Sequence, residues 1–405
     1  MDLSSRRIAD AGHGRWAIRA GRVFDGLRAV PGAGVVLVED GRVAGIEAAG
    51  FEPPEGWEVL DRGSGTVLPG LIDTHVHLVG DAGNGALDRL PELSGDDLSR
   101  TIEESLRLHL AAGVTTVRDL GDRDWSVVER RDRGLPGLPS VLAAGPPITS
   151  RGGHCWNMGG EAEGEEGLRE AVRERARRGA DVVKIMASGG IMTPGTSVEA
   201  SQFTRAELAV AVEEAHAAGL PVTAHAHAVG AIRDAVAVGA DGIEHCSFLT
   251  ADGMRVAEDV LAALIAADVA VCPTLGRAGL AVAPELLARI LKNDIGYENR
   301  CALFTRWHGL GVTIVSGTDG GINPSKPHGL LPASLVDLAS AGMAPADALA
   351  TATSAAADAC GLAGRKGRIL PGHDADLLVV AGDPLTDPAA LLRPDTVFLA
   401  GRPAG

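Results

Sequence analysis

Two histidines in the segment DTHVH are the first residues of this sequence whose types and spacing suggest chemistry. His75 and His77 lie two positions apart, so in a β-strand both imidazoles point to the same side of the sheet, where they can bind one metal ion. Asp73 has the same parity. An HxH pair alone is equally compatible with a structural role, so its interpretation depends on the polar residues that follow.

Lys184 stands alone in the apolar segment ADVVKIMASGG. Burying an unpaired ammonium group costs several kcal/mol, so this side chain needs either a partner or a modification. One interpretation is a lysine whose amine reaches a carboxylate. The other is a carbamate formed with CO2, which replaces the cation by a carboxylate that bridges two metal ions.

Histidines and an aspartate end the next segments of the same kind. TAHAH supplies His225 and His227, GIEHC supplies His245, and SGTDGG supplies Asp319 with two glycines that let a substrate approach the backbone. Coincidence explains such an ordered series poorly. Mixed imidazole and carboxylate ligands suit Zn²⁺, although Mn, Fe, Co or Ni accept the same ligand types. We expect a zinc site in which Asp319 serves as both ligand and catalytic base.

The segments that carry these residues alternate with Ala-rich amphipathic helices. Alternation of this kind predicts a parallel sheet, and eight strands predict a closed (β/α)8 TIM barrel, whose catalytic groups lie at the carboxyl ends of the strands. The candidate strands are VLPGLIDTHVH, GVTTVRDL, SVLAAGPPI, ADVVKIMASGG, LPVTAHAH, GIEHC, VAVCPTL and VTIVSGTDGG.

Short β-strand patterns with Gly-containing turns occupy both ends of the chain. We therefore predict a composite β-sandwich domain of residues 1–68 and 361–405, with an α/β barrel of residues 69–360 between its two parts. A chain of 405 residues with 45% hydrophobic content has room for a barrel of about 250 residues and an accessory domain. Only 3% of the residues are aromatic, so Ala, Val, Leu and Ile must build the core, as in a parallel sheet covered by helices.

Charge and composition argue against several classes of partner. The 53 acidic and 37 basic residues give a formal net charge of −16, and no basic patch interleaved with aromatic residues is present to follow a phosphate backbone. No segment has the long apolar run of a membrane span. The five cysteines form no CxxC pair, which suits a reducing compartment. We expect a cytoplasmic protein without nucleic-acid or membrane partners.

Taken together, LPGLIDTHVH, VVKIMASGG, VTAHAH, IEHC and SGTDGG resemble the motifs of the amidohydrolase superfamily. Within it, the sequence resembles the imidazolonepropionase-like and prolidase-like branch, which includes metal-dependent carboxypeptidase-type enzymes. The resemblance runs nearly end to end. It implies a hydrolase that uses a metal-activated hydroxide to cleave the C–N bond of an amide, peptide-like or N-acyl substrate. Opening of a cyclic amide such as an imidazolone, or hydrolysis of a carbamate or urea-like bond, uses the same chemistry and stays open.

The same resemblance implies a binuclear centre with two zinc ions. The first ion has four ligands: His75, His77, Lys184 and Asp319. Lys184, as a carbamate, bridges to a second ion held by His225 and His245. His225 and His227 share a face and either can be the ligand; we choose His225, because the branch often has Tyr at the position of His227. Asp319 is expected to take the proton of the attacking water and pass it to the leaving nitrogen.

Four further residues are predicted to bind substrate. His154 lies in the Gly-rich segment SRGGHCWNMGGEAEG and resembles a histidine that binds the substrate carboxylate in the prolidase-like branch, with His227 across the pocket. A free carboxylate on the substrate follows from this resemblance. Arg118 ends the second predicted strand, where it binds either an anion or a neighbouring acid. His328 follows Asp319 and is expected either to touch substrate or to lie on a surface loop.

Two other classes of protein share parts of this pattern. A non-catalytic amidohydrolase-like scaffold keeps the barrel but loses metal ligands, whereas all the expected ligands are present here. A metal-free barrel that acts on sugars or phosphates needs Lys184 as a Schiff-base or general-base residue, and it leaves the clustered histidines unexplained. The expected partners are a small-molecule or short peptide-like substrate and a second copy of the chain in a homo-oligomer.

Overall fold

The computed structural model describes residues 14–279, 283–293 and 296–404 of the chain. The predicted terminal domain also includes residues 1–13 and 405, which lie outside the described residues. Parallel strands and helices alternate through the middle of the chain, which confirms the predicted mixed α/β class.

The strands are β1 (Arg15–Arg19), β2 (Arg22–Val23), β3 (Ala33–Glu39), β4 (Arg42–Ala48), β5 (Glu58–Asp61), β6 (Thr66–Pro69), β7 (Leu71–Val76), β8 (Val114–Asp119), β9 (Ser140–Ala143), β10 (Val183–Met186), β11 (Val222–Ala228), β12 (Gly242–Thr250), β13 (Gly253–Met254), β14 (Ala270–Cys272), β15 (Leu377–Val380), β16 (Pro394–Leu399) and β17 (Arg402–Ala404). The helices are α1 (Gly95–Ala111), α2 (Ser126–Asp132), α3 (Gly164–Arg177), α4 (Arg205–Ala217), α5 (Val229–Ala237), α6 (Glu258–Ala266), α7 (Pro284–Asn293), α8 (Tyr297–Gly309), α9 (Leu331–Ser340), α10 (Pro345–Thr351) and α11 (Ser354–Ala359). Short 3-10 turns occupy Leu90–Glu92, Trp156–Met158 and Pro388–Leu392.

The central strands form two parallel sheets. One has the order β7-β8-β9, and the other pairs β10, β11, β12 and β14 in that order, with β13 added antiparallel to β12. Isolated parallel bridges extend the lateral order beyond both sheets. They join Ile148 to Ile185, Val271 to Ile314, and Val76 to Gly320. Residues 314–320 therefore lie between β14 and β7.

The eighth predicted strand, VTIVSGTDGG, is not a regular strand, because only Ile314 and Gly320 within it form bridges. Gly317 lies against β7 so closely that an added Cβ would be 2.7 Å from the backbone nitrogen of His75. Asp319 then has a φ of 59°, in the left-handed region that interrupts extended backbone.

Both ends of the chain contribute strands to one sheet. The order β17-β16-β15-β6-β2 pairs β15 antiparallel with β6, which places Leu378 opposite Leu68. A second sheet, β4-β3-β1-β5, comes from the N-terminal part alone. One apolar cluster contains Ile18, Val67 and Phe398, so side chains of both ends pack in the same core. Burial of this shared apolar surface holds the two ends together.

The helices begin where their sequences predict. Ser94 and Asp97 form a capping box at the start of α1, and Thr204 and Glu207 form one at α4, so the first free N–H groups of each helix are satisfied. Buried residues of α1 pack against the strands, since Leu106 shares an apolar cluster with Val114 of β8. None of the helices in the described part of the chain combines the length and the apolar character that a membrane span needs.

Candidate functional site

A cavity opens where the central strands end, and it encloses about 1250 Å³ including its open mouth. All of the predicted site residues except Arg118 and His328 line it. These lining residues are His75, His77, His154, Lys184, His225, His227, His245 and Asp319. Apolar side chains form another part of the lining: Leu87, Met186, Ile191, Met192, Leu249, Met254 and Ile322. Tertiary folding therefore brings together chemistry that the sequence spreads over more than two hundred positions.

His75, His77 and Asp319 form one group of potential metal ligands. The Nε2 atoms of the two histidines lie 3.4 and 3.2 Å from Oδ1 of Asp319. The other ring nitrogens have partners of their own. Nδ1 of His75 lies 2.8 Å from Oε2 of Glu244, and Nδ1 of His77 lies 3.0 Å from the carbonyl oxygen of Gly121. Since a carbonyl oxygen only accepts, Nδ1 of His77 donates and Nε2 keeps its lone pair. Two oriented imidazoles and a carboxylate thus converge on one position, as a metal ligand set requires.

A second group contains three histidines, whose candidate ligand atoms all lie within 4.8 Å of one another: His225, His227 and His245. His245 is oriented by a 2.9 Å hydrogen bond between its Nδ1 and Oγ1 of Thr274. His225 donates from Nε2 to the carbonyl oxygen of Gly189 at 3.1 Å, so its Nδ1 is available. Both His225 and His227 thus belong to this group.

Lys184 lines the same cavity as these two groups and is buried, with 1% of its surface exposed. Among the described residues, its Nζ has no hydrogen-bond partner. Burial lowers the pKa of Lys184 below its usual value, against the opposing effects of Glu244 and Asp319. A lower pKa favours the neutral amine, which is the form that reacts with CO2. An unpartnered buried amine next to two imidazole clusters therefore fits a carbamate better than it fits a free ammonium group.

Asp319 is held in place by the chain on both sides of it. Its backbone N–H donates to the carbonyl oxygen of His75 at 2.7 Å. The carboxylate of Asp73 accepts from the backbone nitrogen and Oγ1 of Thr318, at 3.0 and 2.7 Å. Burial would raise the pKa of Asp319, but the charges of His75 and His77 outweigh it and hold that pKa well below its usual range. Asp73, which shares the parity of the HxH pair, thus supports the Asp319 turn and is fully buried.

His154 and His227, which are predicted to bind substrate, both line the cavity. The Nδ1 of His154 is 2.9 Å from Oγ1 of Thr193, and its ring centroid is 4.5 Å from that of His225. The Nδ1 of His227 is 2.9 Å from Oγ of Ser247. Burial lowers the pKa of both imidazoles to about 3, so each is neutral at pH 7.

Arg118 does not reach the cavity lining. It is buried, and its Nε and Nη2 donate to the carbonyl oxygen of Thr74 at 2.8 Å and to Oε1 of Glu244 at 3.1 Å. The alternative of pairing with an acid is therefore the one observed. Nε and Nη2 of Arg118 are thus engaged inside the protein, and its contact with substrate stays a prediction.

His328 is also packed inside the protein, away from the cavity lining. Its Nε2 lies 2.8 Å from the carbonyl oxygen of Gly80, and its Nδ1 lies 3.1 Å from Nε2 of His109. The predicted placement on a surface loop is wrong, because His328 is buried, and its contact with substrate stays a prediction. The loop folds back on α1, and the two buried imidazoles pack edge to face at 5.1 Å.

Glu244 is a candidate functional residue that the sequence reasoning missed. It has 1% of its surface exposed, and its Oε1 accepts from Oγ1 of Thr223 at 2.6 Å as well as from Arg118. Its Oε2 orients His75. The signal in the sequence was an acidic residue within the otherwise apolar start of GIEHC. A buried acidic residue needs hydrogen-bond partners, but the local sequence does not identify those partners.

Three cationic residues of the cavity wall were also missed: Arg277, Arg300 and Lys326. Nζ of Lys326 donates to the carbonyl oxygens of Thr274 and Thr318, at 2.7 and 3.0 Å. Lys326 lies two positions before His328, in the same loop segment NPSKPHG. The available signal was thus a lysine in a loop that follows a predicted metal ligand.

Comparisons with known proteins identify the family of the chain. The sequence model of the Amidohydrolase family matches residues 66–404. Ochratoxinase of Aspergillus niger is 28% identical over 362 residues, covering 82% of this chain and 73% of the relative. An imidazolonepropionase of Rhizorhabdus wittichii is 30% identical over 276 residues, covering 56% of this chain and 65% of the relative.

Solved structures show the same relationship in three dimensions. The crystal structure of a Xaa-Pro dipeptidase with bound methionine superimposes with a TM-score of 0.82 at 25% identity, covering 96% of this chain and 99% of that one. The family match spans most of the chain, and the similar proteins include prolidase-like and imidazolonepropionase-like enzymes. This protein therefore belongs to the amidohydrolase family and is a hydrolase that acts on carbon–nitrogen bonds.

Proposed function

We propose that this protein is a binuclear metal-dependent amidohydrolase that hydrolyses an amide, peptide-like or N-acyl bond. One observation carries the proposal: two clusters of oriented ligand side chains line a single cavity together with the unpartnered amine of Lys184. Burial is the main cause of the lowered pKa of His75 and of His245, and Lys184 lies close enough to both histidines to contribute to the lowering. A lysine that faces both clusters is suited to link them.

The donor set fits two divalent ions, for which we propose zinc because imidazole and carboxylate donors suit it. The first ion would be held by His75, His77, Asp319 and the carbamate of Lys184. The second would be held by the same carbamate with His225 and His245, or with His227 in place of His225. When bound, the ions supply a water of lowered pKa and polarise the carbonyl oxygen of the substrate.

The chain's own residues supply positioning and proton transfer. The carboxylate of Asp319 accepts a proton from the attacking water and returns it to the leaving nitrogen, which makes the amine a good leaving group. Asp73 keeps the Asp319 turn in place through Thr318. Glu244 keeps Nε2 of His75 directed towards Asp319. The apolar lining excludes water from the bond that is cleaved.

The architecture belongs to the same proposal. Strands β7 to β12, β14 and residues 312–321 would close into a (β/α)8 barrel formed by residues 69–360. The parallel bridges between the sheets and across residues 314–320 support closure. Residues 1–68 and 361–405 would form the β-sandwich domain, which the shared sheet of β6 and β15 supports. The active site would then lie at the carboxyl ends of the barrel strands, as in other enzymes of this fold.

The similarity to imidazolonepropionase supports a second candidate, the opening of a cyclic amide by the same residues. A non-catalytic scaffold is not favoured, since the expected ligand side chains all line the cavity.

Metal content tests the proposal. We expect about two zinc ions per chain by inductively coupled plasma mass spectrometry in wild-type protein purified without added metal, and fewer in Lys184→Ala. Lys292→Ala, which changes an exposed lysine, is the matched control and should keep the wild-type content. Absence of metal from the wild type, even after reconstitution with zinc and bicarbonate, would contradict a metal-dependent function.

A further inference from the structure

Lys326 lines the cavity but has no role in the chemistry proposed above. Its ammonium group donates to two backbone carbonyl oxygens, that of Thr274 at 2.7 Å and that of Thr318 at 3.0 Å. Both threonines are buried, with 3% and 0% of their surfaces exposed. A buried carbonyl oxygen needs a hydrogen-bond donor, and here one side chain serves two of them.

The two carbonyl groups belong to neighbouring segments of the central sheets. Thr274 follows strand β14, and Thr318 lies in residues 314–320, next to that strand. The N–H of Val315 donates to the carbonyl oxygen of Val271 at 3.0 Å, and among the described residues no later backbone hydrogen bond joins the two segments. Beyond that point, the ammonium group connects them through its two hydrogen bonds.

Each of these segments supports one of the proposed metal ligands. Oγ1 of Thr274 lies 2.9 Å from Nδ1 of His245, which belongs to the group of three histidines. Thr318 immediately precedes Asp319, which belongs to the other ligand group. The ammonium group therefore lies between the supports of two ligands that are expected to hold different metal ions.

The backbone at both places has an unfavourable conformation. Thr274 and Asp319 have φ values of 49° and 59°, in the left-handed region. Residues other than glycine keep such values only where surrounding contacts hold them. A hydrogen bond to the carbonyl oxygen of Thr318 fixes the peptide plane that joins Thr318 to Asp319. The bond to Thr274 fixes the peptide plane that follows that residue in the same way.

We propose that Lys326 is a positioning residue that holds the two groups of metal ligands in place relative to each other. This inference rests on the binuclear function proposed above. An ammonium group suits the task because it is compact and has three N–H donors that rotate freely towards separate acceptors. Lys326 acts through the backbone of Thr274 and Thr318, and it is not itself a metal ligand.

The charge of Lys326 predicts the opposite effect on metal binding. A positive charge close to divalent ions repels them, so its removal raises their affinity if Lys326 acts only as a charge. Loss of positioning lowers the affinity instead, because metal binding must then also order the two segments. The direction of the change in affinity therefore distinguishes the two effects.

The test measures the zinc affinity of the full-length protein by competition with a chelator. Lys326→Met removes the ammonium group and keeps an unbranched side chain. Lys326→Cys is measured before and after alkylation with 2-bromoethylamine, in which the thiolate displaces bromide and the new C–S bond carries an aminoethyl group. The product has an ammonium group at nearly the distance of the original lysine.

Two controls accompany these variants. Lys292→Met changes an exposed lysine and controls for the loss of a positive charge elsewhere. Wild type treated with 2-bromoethylamine controls for alkylation of the native cysteines, which are all buried in the structure.

We expect the zinc affinity of Lys326→Met and of unmodified Lys326→Cys to fall by about 10- to 100-fold. Circular dichroism should show folded proteins, and alkylation of Lys326→Cys should restore most of the affinity. Both controls should keep the wild-type affinity. An unchanged or higher affinity in Lys326→Met would overturn the inference. If that variant does not fold, Lys326→Cys before and after alkylation decides, since a loss that alkylation does not reverse overturns the inference too.

The outcomes also separate the inference from the function on which it rests. A wild-type protein that takes up no zinc contradicts the proposed function, and the role of Lys326 falls with it. A wild-type protein that binds two zinc ions no more tightly than the Lys326 variants overturns only the positioning role and leaves the metal-dependent hydrolase intact.

Discussion

The cavity has two sides whose side chains are positioned in different ways. The ligand side consists of the proposed metal ligands, and the cationic wall consists of Arg277, Arg300 and Lys326. On the ligand side, His75 and His77 are buried and each has one ring nitrogen bound by a partner behind it. On the cationic wall, Arg277 and Arg300 are partly exposed and are positioned by an aromatic ring and a carbonyl oxygen. Removing one partner of a buried group with several hydrogen bonds lowers the stability of the protein considerably. A partly exposed group can bind water instead. We therefore expect substitutions on the ligand side to cost more stability than substitutions in the cationic wall.

The strongest test of the ligand side is Asp319→Asn. An amide retains the shape of the side chain but cannot accept and return a proton, so we expect kcat to fall by about 1000-fold. Circular dichroism and thermal unfolding should show a folded protein. Asp347→Asn, at an exposed position, is the control. Substantial turnover by the Asp319 variant would remove this residue from the role of base.

A second test compares Arg118, which supports the ligand side through Glu244, with Arg300 of the cationic wall. Arg118→Met leaves the buried carboxylate of Glu244 without its cationic partner, so we expect the free energy of unfolding to fall by about 3 kcal/mol. Arg300→Met should lower it by less than about 1 kcal/mol, since Arg300 is partly exposed and binds only a carbonyl oxygen. Urea unfolding of both variants measures the difference. Equal losses would mean that the wall is as much a part of the core as the ligand side.

The smallest expected effect concerns the orientation of His75. In Glu244→Gln, the amide oxygen must accept from Arg118 and Thr223, so the NH2 group faces Nδ1 of His75. That arrangement favours the tautomer with hydrogen on Nε2, which cannot bind a metal. We expect zinc affinity to fall by about 10- to 100-fold in a competition titration with a chelator.

Glu258→Gln, which changes an exposed glutamate on α6, is the matched control for that titration. An unchanged zinc affinity in the Glu244 variant would show that His75 is oriented by the strand alone.

Much of the ligand side could be predicted because its residues follow simple periodicity. His75 and His77 share a face because side chains of a strand alternate. Lys184, His245 and Asp319 share the cavity because the carboxyl ends of neighbouring parallel strands meet at one edge. Each signal is local in the sequence, and the order of segments is enough to bring them together.

The support of that site could not be predicted in the same way. Glu244 contacts His75 across 169 positions, and His109 contacts His328 across 219 positions. Sequence periodicity does not reveal contacts between residues so far apart in the chain. In the same way, the local sequence around an arginine at the end of a strand does not show whether it faces a cavity or a buried acid. Arg118 illustrates this, because only its contact with Glu244 distinguishes the two possibilities.

The sequence by itself determined the α/β class, the order of the central segments and the chemical identity of the ligand side chains, since each of these depends on local pattern and residue type. Tertiary structure alone decided that residues around Asp319 leave regular strand geometry, that Arg118 and His328 are internal, and that Arg300 and Lys326 join one wall. Those outcomes depend on packing between segments distant in the chain. Burial forces each polar group to find a partner there, and only the folded chain specifies which partners are within reach.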